Sequence, residues 1–379
     1  MQLSTNNNDD ILNSDERERY KRHFSLEGFG EEGQIMLKNS SVIFIGAGGL
    51  GSSAIIYIAA AGVGKIGIAD ADQVDLSNLQ RQIIHNINDI GSNKTDSAEI
   101  KIKQLNPHCQ IKTFTERISS KNVINILNQF DLVCDCSDNF GTKYLLNDAC
   151  LILNKPLIYG SVQGFEGQVS VFNLHKASPN LRDLLPVPPQ QDLIPSCDEY
   201  GVVGVSPGII GILQASEIIK IIIKQGEILD GKILVFDLLD NKMKKLNLKA
   251  NFENKKIQDL LVYKNDYESE KYLDEAIKIN KINSSEFKKI YKQNLNKIII
   301  FDVREKNEFK QYSIKGSISL PLSTIGTESS LEFIKNKSRG KKIYTLCQKG
   351  VRSEKASQIL IKKEIQSISI EGGIEKLEL

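Results

Sequence analysis

The sequence predicts an α/β protein built from two domains, and three observations point to this fold class. The chain has 379 residues, more than one hydrophobic core usually organises, so about two domains are expected. The segment SVIFIGAGGLG, from Ser41 to Gly51, runs from an apolar stretch directly into a glycine cluster. Further apolar stretches alternate with segments of helical spacing, which is typical of parallel sheets with crossing helices.

Composition excludes several other classes of protein. Hydrophobic residues make up 40% and charged residues 25% of the chain, an ordinary balance for a soluble protein. A net charge of +2 without a basic block gives no indication of a nucleic-acid partner. Six scattered cysteines without a C-x-x-C pair indicate reduced thiols and a cytoplasmic location. The polar start predicts no signal peptide, and the apolar run at 209–223, interrupted by polar residues, predicts a packed helix rather than a membrane span.

The first part of the chain carries a predicted tail and a predicted helical segment. Residues 1–14 are rich in Asn and Asp and predict a disordered tail. Helical spacing begins at Asp15 and continues to Lys38, and this stretch includes Arg22.

The glycine cluster after the first strand predicts a nucleotide site. Small, helix-compatible residues follow it from Ser52 to Ala61, so the turn leads into a helix whose N-terminal amides and dipole favour phosphate. Glycine lets the backbone approach the phosphates closely, and it occupies four positions here: Gly46, Gly48, Gly49 and Gly51. The loop alone fits a dinucleotide oxidoreductase equally well.

A second short strand, Ile66 to Ala69, ends at Asp70. In nucleotide-binding folds, an acid that binds the ribose hydroxyls follows the first glycine by roughly 20 residues. Asp70 lies close to that spacing. Asp72 and Asp75 are near enough in sequence to serve the same purpose. An acid that merely ends a strand is the alternative interpretation.

Long polar side chains then occupy two loops on the side where these strands end. They are Asn78, Arg81 and Gln82 in SNLQRQIIH, and Lys94 in GSNKTDSA, which starts a helix. A single Arg or Lys is more often solvated, but two cations beside a phosphate loop favour contact with the charge that develops on pyrophosphate. We therefore predict that Arg81 and Lys94 act in catalysis.

A third buried strand, DLVCDC at 131–136, is followed by Asp138, Asn139 and a helix from about Gly141 to Leu153. Open α/β sheets bind ligands outside the carboxyl ends of their strands, where the Asp138 carboxylate could hold Mg²⁺ on an ATP phosphate. The alternative is that Asp138 caps the helix. The sequence favours the metal role.

Together these motifs resemble the MoeB/ThiF family of the ubiquitin-activating-enzyme superfamily. The resemblance rests on GAGGLG, NLQRQ, the Gly-x-x-Lys segment and DCSDN, continues through EGQVSVF and PSCDEYGVVGVSPGIIGILQASEIIK, and covers about residues 15–245. It implies a Rossmann-like nucleotide-binding domain with a mixed sheet. It also implies ATP-dependent adenylation of the C-terminal Gly-Gly carboxylate of a ubiquitin-like sulfur carrier protein. That carboxylate is ionised at neutral pH, so the chemistry needs positioning and cations rather than a general base.

The resemblance also implies roles for individual residues of the nucleotide site. The four glycines would line the triphosphate of ATP, and Asp70 would bind the ribose. Asp138, with Asn139 beside it, would bind Mg-ATP through the metal. The phosphates would be neutralised by Asn78, Arg81 and Lys94.

Two further residues take roles that only the resemblance implies. Arg22, in RYKRH, matches an arginine that reaches the partner subunit's ATP, which implies a homodimer. Cys197 matches a crossover-loop cysteine that in relatives can accept the activated acyl group as a thioester or acyl disulfide. A free thiol with a pKa of ~8.5 is only partly ionised, so this role would require a lowered pKa.

The chain departs from the family at a metal site. Most relatives carry two C-x-x-C pairs that bind structural zinc, whereas here Asn180 and Asp183 stand at the first pair and NLKANFENKK lacks the second. A tetrahedral thiolate site cannot be built from the remaining cysteines. We therefore expect no zinc.

A Lys-, Asn- and Glu-rich stretch predicts a linker over residues 246–279, which separates an adenylation domain at 15–245 from a second domain at 280–379. The second domain should open with a helix capped by Ser284 or Ser285 and contain a buried strand at 297–303. Its segments IIIFDVREKNEF, SIKGSISLPLS and IYTLCQKGVRSEKASQIL resemble a rhodanese domain, which is a small α/β fold.

The chemistry of the second domain rests on CQKGVRS, at 347–353. Loop amides and a helix N-terminus around Cys347 would lower the pKa of its thiol and stabilise a persulfide anion, and Arg352 would add a fixed charge. A phosphatase is the alternative, but its C-x-x-x-x-x-R loop is one residue longer. Asp302 and Arg304 match the family's D-V-R segment, for which we expect a structural role.

The two predicted chemistries are complementary. The first domain would make an acyl adenylate, and sulfur carried on Cys347, loaded by a donor such as a cysteine desulfurase, would displace AMP to give a thiocarboxylate. Such carriers supply sulfur for molybdopterin, thiamine or transfer-RNA thiolation. Activation of a ubiquitin-like modifier for conjugation is one alternative, although conjugation needs no persulfide. A non-catalytic nucleotide-binding scaffold is the other, although the cations of the site speak against it.

Overall fold

The computed structural model describes residues 11–189, 201–260, 267 and 279–377. The chain divides into two compact units, Met1–Ser269 and Glu270–Leu379. Each unit has its own sheet with helices along the chain between strands. The predicted α/β fold class, with a mixed sheet in the first unit and a small second α/β unit, is confirmed.

The first unit is built on a mixed sheet of eight strands. In chain order these are β1 (Ser41–Ile45), β2 (Lys65–Ala69), β3 (Gln110–Phe114), β4 (Leu132–Asp135), β5 (Leu157–Gln163), β6 (Glu166–Phe172), β7 (Lys232–Asp237) and β8 (Lys242–Asn247). Their order across the sheet is β3-β2-β1-β4-β5-β6-β7-β8. The strands from β3 to β5 are parallel, and β6, β7 and β8 continue the sheet in antiparallel pairs.

Helices cover both faces of this sheet. They are α1 (Ser14–Phe24), α2 (Gly30–Lys38), α3 (Gly49–Ala61), α4 (Lys94–Leu105), α5 (Val123–Leu127), α6 (Phe140–Leu153), α7 (Leu181–Leu184) and α8 (Val205–Ile223). Alternate residues of β1 enter different cores: Val42 and Phe44 lie in one hydrophobic cluster, and Ile43 and Ile45 lie in another. The central strand is therefore apolar on both faces, as a buried parallel strand must be.

Helix α8 was predicted to pack inside the protein. By length and composition alone it could cross a membrane, and half of its apolar window is buried in the first unit. Its polar residues have partners in that core: the Gln214 amide donates to the Asp135 carbonyl at 2.8 Å, and the Glu217 carboxylate accepts from Leu229 N at 2.9 Å. These bonds satisfy polar groups that would otherwise be costly to bury.

The predicted tail differs from the structure at its end. Residues 1–10 lie outside the described residues, but Leu12 is buried and Asn13 caps α1. Asn13 Oδ1 accepts from Glu16 N at 2.9 Å, while Glu16 Oε2 accepts from Asn13 N at 3.1 Å. This capping box orders residues whose composition alone suggested disorder.

The predicted linker is wrong at its start. Its first two residues belong to β8, an edge strand paired with β7. Further along, Leu260 and Tyr267 are buried in the hydrophobic cluster of the first unit. Isolated apolar side chains within a polar stretch produced no periodic pattern, so the sequence did not indicate this packing.

The second unit has a parallel sheet of five strands. They are β9 (Asn280–Ile282), β10 (Ile298–Asp302), β11 (Ser317–Ser319), β12 (Lys342–Leu346) and β13 (Ser367–Ile370), in the order β11-β10-β12-β13-β9. The helices are α9 (Ser284–Gln293), α10 (Lys306–Gln311), α11 (Glu328–Lys337), α12 (Val351–Lys362) and α13 (Gly373–Lys376). The cap of α9 is Asn283, whose Oδ1 accepts from Glu286 N at 2.9 Å, and not Ser284 or Ser285. Asn and Ser are nearly equal N-caps, so the sequence could not distinguish them.

Candidate active sites

The sheet of the first unit reverses its strand order between β1 and β4. From β1 the chain proceeds to β2 and β3 on one side, and then to β4 and β5 on the other. The carboxyl ends are level, because Ile45 is in register with Ala69 of β2 and with Asp135 of β4. Such a reversal opens a crevice at this edge, and open α/β sheets bind their ligands there.

The glycine loop lies at the bottom of this crevice and requires glycine at two of its positions. Gly46 has a φ of +105°, and a Cβ on it would lie 2.7 Å from the Cys136 carbonyl oxygen. A Cβ on Gly51 would lie 2.1 Å from the Gly46 carbonyl oxygen. Gly48 is the N-cap of α3 and supplies no side-chain cap to the helix amides. The loop therefore brings bare backbone N–H groups and the positive end of a helix to the crevice, which suits phosphate.

Asp70 holds the glycine loop from the neighbouring strand end. Its Oδ2 accepts from Ala47 N at 2.8 Å, and its Oδ1 accepts from Asp72 N at 2.9 Å. Burial raises the pKa of the Asp70 carboxyl, which nearby Lys94 and these backbone donors partly offset. The predicted ribose-binding acid thus lies against the loop at Ala47.

The two predicted cations lie at this same edge of the sheet. Lys94 is buried at the start of α4, and its Nζ lies 2.9 Å from Asp72 Oδ2. Arg81 donates from Nη1 to the Ser77 carbonyl at 3.0 Å. Its side chain passes close to the glycine loop, because a Cβ added to Gly49 would lie 3.6 Å from Arg81 Cγ. Asn78 is engaged locally, because its Oδ1 accepts from Asp75 N at 3.1 Å.

Two residues of the same segment reach the glycine loop but were not predicted as site residues. The Gln82 side chain is buried beside Gly48, and its Oε1 has no hydrogen-bond partner in the described part of the chain. His85 is buried with Nε2 3.2 Å from the Ala47 carbonyl oxygen and Nδ1 2.8 Å from Ser97 Oγ. A carbonyl only accepts, so the geometry assigns the proton to Nε2, and burial lowers the pKa of this imidazole. The motif NLQRQIIH contains both residues. Gln82 stood out only as one of several long polar side chains in this loop, and no pattern singled out His85.

Two roles were considered for Asp138, which follows β4: capping the next helix and holding a metal. Asn139 is the N-cap of α6, with Oδ1 accepting from Thr142 N at 2.8 Å. Asp138 is exposed, and its Oδ1 accepts from Asn139 Nδ2 at 3.4 Å. The capping role thus belongs to Asn139, whose side-chain oxygen is occupied. The Asp138 carboxylate remains open to solvent after the end of β4, the strand paired with β1, which the glycine loop follows. This position suits a hard cation.

One predicted site residue on a described helix is not part of this cluster. Arg22 is exposed in the last turn of α1, and within the described ranges it makes no hydrogen bond or ion pair with the other predicted site residues. Cys197 lies outside the described residues.

In the second unit, Cys347 is enclosed by its loop. It follows β12, its side chain is buried, and the Gly350 amide donates to its Sγ at 3.1 Å. Gly350 has a φ of +103° and serves as the N-cap of α12. Ser353 Oγ lies 3.6 Å from the sulfur. The loop thus turns a backbone amide and the start of a helix towards the sulfur, an arrangement that stabilises a sulfur anion.

Arg352 forms a two-pronged ion pair with Glu308 of α10. The distances are 2.7 Å from Nη1 to Oε2 and 2.8 Å from Nη2 to Oε1. The hydrogen bonds with Arg352 lower the pKa of Glu308 to about 2, and the same bonds raise the pKa of Arg352. The charge of Arg352 is therefore held in place by a residue that the sequence analysis did not identify.

Asp302 and Arg304 support the loop from the next strand. Arg304 is buried and donates from Nη2 to Asp302 Oδ2 at 2.7 Å and to the Tyr312 carbonyl at 2.7 Å. Its Nη1 lies 3.3 Å from Oε1 of Gln348, the residue that follows Cys347. This pair fixes the start of the loop through packing and hydrogen bonds, as the predicted structural role requires.

Comparisons with known proteins agree with this architecture. Residues 20–257 match the model of the ThiF family, and residues 283–378 match that of the rhodanese-like domain. An "adenylyltransferase and sulfurtransferase MOCS3" of Drosophila virilis is 35% identical over 371 residues, covering 94% of this chain and 80% of the relative. A "probable molybdopterin-synthase adenylyltransferase" of Pyropia yezoensis is 40% identical over 364 residues, covering 95% of this chain and 93% of the relative.

Among solved structures, Escherichia coli MccB with ATP has a TM-score of 0.54 at 22% identity, covering 62% of this chain and 72% of that one. At this identity the likeness shows a shared fold. From the two matching family models and these relatives, which match over most of their length, the chain belongs to the ThiF family, carries a C-terminal rhodanese-like domain, and is an adenylyltransferase and sulfurtransferase.

Proposed function

We propose that the first unit uses ATP to adenylate the C-terminal Gly-Gly carboxylate of a ubiquitin-like sulfur carrier protein, and that the second unit supplies the sulfur. The observation that carries this proposal is the presence of two loops on one chain. The glycine loop, with Asp70 beside it, suits a nucleoside triphosphate, and the Cys347 loop suits a sulfur anion.

In the first step, the carrier carboxylate attacks the α-phosphorus of ATP and pyrophosphate leaves. The loop amides and the positive end of α3 bind the phosphates, and Arg81 and Lys94 offset the charge that develops on the leaving group. Asp138 is the residue proposed to hold Mg²⁺, which when bound would supply positive charge to offset the charge of the phosphates. The catalytic contribution of these residues is positioning and electrostatic stabilisation, since the nucleophile needs no base.

In the second step, the terminal sulfur of a Cys347 persulfide attacks the acyl adenylate, and AMP leaves with the electron pair of the broken C–O bond. The product is an acyl disulfide between the carrier and Cys347. A thiol must then attack the Cys347 sulfur, which breaks the S–S bond of the acyl disulfide and releases the carrier as a thiocarboxylate. The new disulfide between that thiol and Cys347 is reduced by a cellular reductant, which restores both thiols. Cys197 is the residue proposed to supply this thiol. A cysteine desulfurase is the proposed source of the persulfide sulfur.

Two further proposals concern assembly and pathway. The exposed position of Arg22 on α1 leaves it available to a second copy of the chain, which supports a homodimer in which Arg22 reaches the partner's ATP. The name of the Pyropia yezoensis relative favours molybdopterin synthesis as the pathway over thiamine synthesis or transfer-RNA thiolation.

The proposal is tested by isotope exchange between labelled pyrophosphate and ATP. Exchange should require Mg²⁺ and a carrier ending in Gly-Gly, and a carrier lacking its last glycine should abolish it. Absence of exchange with every candidate carrier would support a scaffold instead. If exchange occurs but mass analysis finds the carrier joined to other proteins and never converted to a thiocarboxylate, the chain activates a modifier for conjugation.

A further inference from the structure

Two short segments of the first unit meet at the side chain of Asp183. One is α7 with its N-cap Asn180, and the other is the turn Phe252–Lys255 with its cap Asn251. Asp183 Oδ1 accepts from Asn251 N at 2.9 Å and from Asn254 Nδ2 at 2.7 Å. The carboxylate therefore connects residues about 70 positions apart in the chain, and we call Asn180, Asp183, Asn251 and Asn254 the Asp183 clasp.

The positions of the clasp match the spacing of two metal-binding pairs, but their chemistry does not. Asn180 and Asp183, like Asn251 and Asn254, are three residues apart, as are the cysteines of a C-x-x-C pair. Zinc in structural sites takes thiolate or imidazole ligands, and the clasp offers amides and one carboxylate. No group of three or more His, Cys, Asp or Glu residues that could hold a metal occurs within the described ranges.

The hydrogen bonds of the clasp also oppose a cation. Asp183 Oδ2 accepts from Asn180 N at 2.8 Å, so both oxygens of the carboxylate already accept from N–H groups. Those N–H groups turn their positive ends towards the space that a metal bound to the carboxylate would occupy. Binding a cation there would require breaking these charge-assisted bonds.

The clasp holds a helix that is anchored on its other sides as well. Arg182 is buried and pairs with Asp148 through Nη2 and Oδ2 at 2.6 Å. Tyr267 donates from its hydroxyl to the same Oδ2 at 2.6 Å, and Leu181 N donates to Asn147 Oδ1 at 2.8 Å. Helix α7 ends at Leu184, a few residues before the stretch 190–200, which contains Cys197 and lies outside the described residues.

We propose that the Asp183 clasp takes the place of a structural zinc ion and fixes α7, the helix that precedes Cys197 in the chain, to the rest of the first unit. The cross-link is made by charge-assisted hydrogen bonds, so the first unit keeps its fold without a metal. The claim is independent of the adenylation reaction, because it concerns stability and metal content.

Metal analysis and thermal unfolding of the full-length purified protein test the proposal directly. The protein should contain far less than one zinc per chain, and a strong zinc chelator should leave its melting temperature unchanged. One zinc per chain, or a chelator that lowers the melting temperature by several degrees, would overturn the proposal.

A pair of variants tests the hydrogen bonds themselves. Asp183→Ala removes the two hydrogen bonds that the carboxylate accepts from Asn251 and Asn254 and leaves the longer bond from Asn180 Nδ2 to the Asn254 carbonyl at 3.5 Å. The variant should lower the melting temperature of the first unit by roughly 4–10 °C. It should also speed tryptic cleavage after Lys255 and Lys256, because the turn is released. Glu253→Ala is the matched control: its carboxylate contacts Lys256 in the same turn, and both side chains are exposed. Equal behaviour of the two variants would show that the clasp does not hold the segments.

A cysteine variant tests whether the two segments oppose each other as a metal site would. Replacing all four residues, Asn180→Cys, Asp183→Cys, Asn251→Cys and Asn254→Cys, should create a protein that binds about one zinc and loses stability when chelated. A folded variant that takes up no zinc would contradict the arrangement. If this variant fails to fold, the metal content of the unaltered protein and the Asp183→Ala comparison still decide the question.

Discussion

The ion pair between Glu308 and Arg352 gives a pH-dependent prediction for the second unit. Glu308→Gln removes the charge of the carboxylate while preserving the size of the side chain. The pKa of Glu308 is lowered from 4.5 to about 2 by its hydrogen bonds with Arg352. A carboxyl group whose pKa is lower in the folded state stabilises the fold at neutral pH, and that contribution disappears as the pH falls.

The size of the effect follows from the pKa difference and from solvent exposure. The difference of about 2.5 between the two pKa values corresponds to roughly 3 kcal/mol without screening. The two side chains are 34% and 36% exposed, so solvent screening reduces this to about 1–1.5 kcal/mol. For a unit of this size, that stability change lowers the melting temperature by roughly 5–10 °C.

Urea unfolding of the full chain, followed with a probe in the second unit, measures this difference. At pH 7 Glu308→Gln should be less stable than the unaltered protein by about 1–1.5 kcal/mol, and at pH 3 the difference should fall to less than half. Glu354→Gln is a control, because Glu354 makes a single ion pair with Lys281 at 2.9 Å and should cost about 0–0.5 kcal/mol. A Glu308→Gln effect that matches the control, or that does not change with pH, would refute the reasoning.

Two further predictions concern the nucleotide site. Gly46→Ala forces a side chain into a left-handed backbone and against the Cys136 carbonyl; it should cost about 2–4 kcal/mol and reduce pyrophosphate exchange on the order of 100-fold, whereas unchanged exchange would show that the loop does not carry phosphate. Asp138→Asn should raise the Mg²⁺ concentration needed for half-maximal exchange by about tenfold or more. The melting temperature should stay unchanged, because the carboxylate is exposed and the helix cap is Asn139; an unaltered Mg²⁺ requirement would remove Asp138 from the metal site.

The sequence predicted those parts of the fold that leave a local pattern. The apolar run of β1 and the glycines after it indicated the strand, the turn and the start of α3. Two of these glycines, Gly46 and Gly51, are required by a close backbone approach. The acids that follow β2 and β4 were found at strand ends for the same reason: parallel strands bring their carboxyl ends to one edge. The Cys347 loop was found from the cysteine after a predicted strand and from the arginine five positions later.

Contacts between distant segments could not be predicted from local pattern. Glu308 and Arg352 are 44 residues apart, and Asp183 and Asn251 are 68 residues apart. Either partner by itself resembles an ordinary surface residue. Tyr267 was hidden similarly, because a single aromatic residue in a polar stretch forms no periodicity. The sequence also left open whether Asp138 caps the helix or holds a metal, and it did not indicate that the cap is Asn139, since Asp and Asn cap almost equally well.

The most direct test of the account separates its two chemistries with a single substitution at Cys347. The full-length Cys347→Ser variant, incubated with ATP, Mg²⁺, the carrier and a persulfide donor, should exchange labelled pyrophosphate into ATP as fast as the unaltered protein. Mass analysis of the carrier should then find the thiocarboxylate only with the unaltered protein. Thiocarboxylate formation by the variant at the normal rate would contradict the account, because sulfur would then reach the acyl adenylate without the second unit.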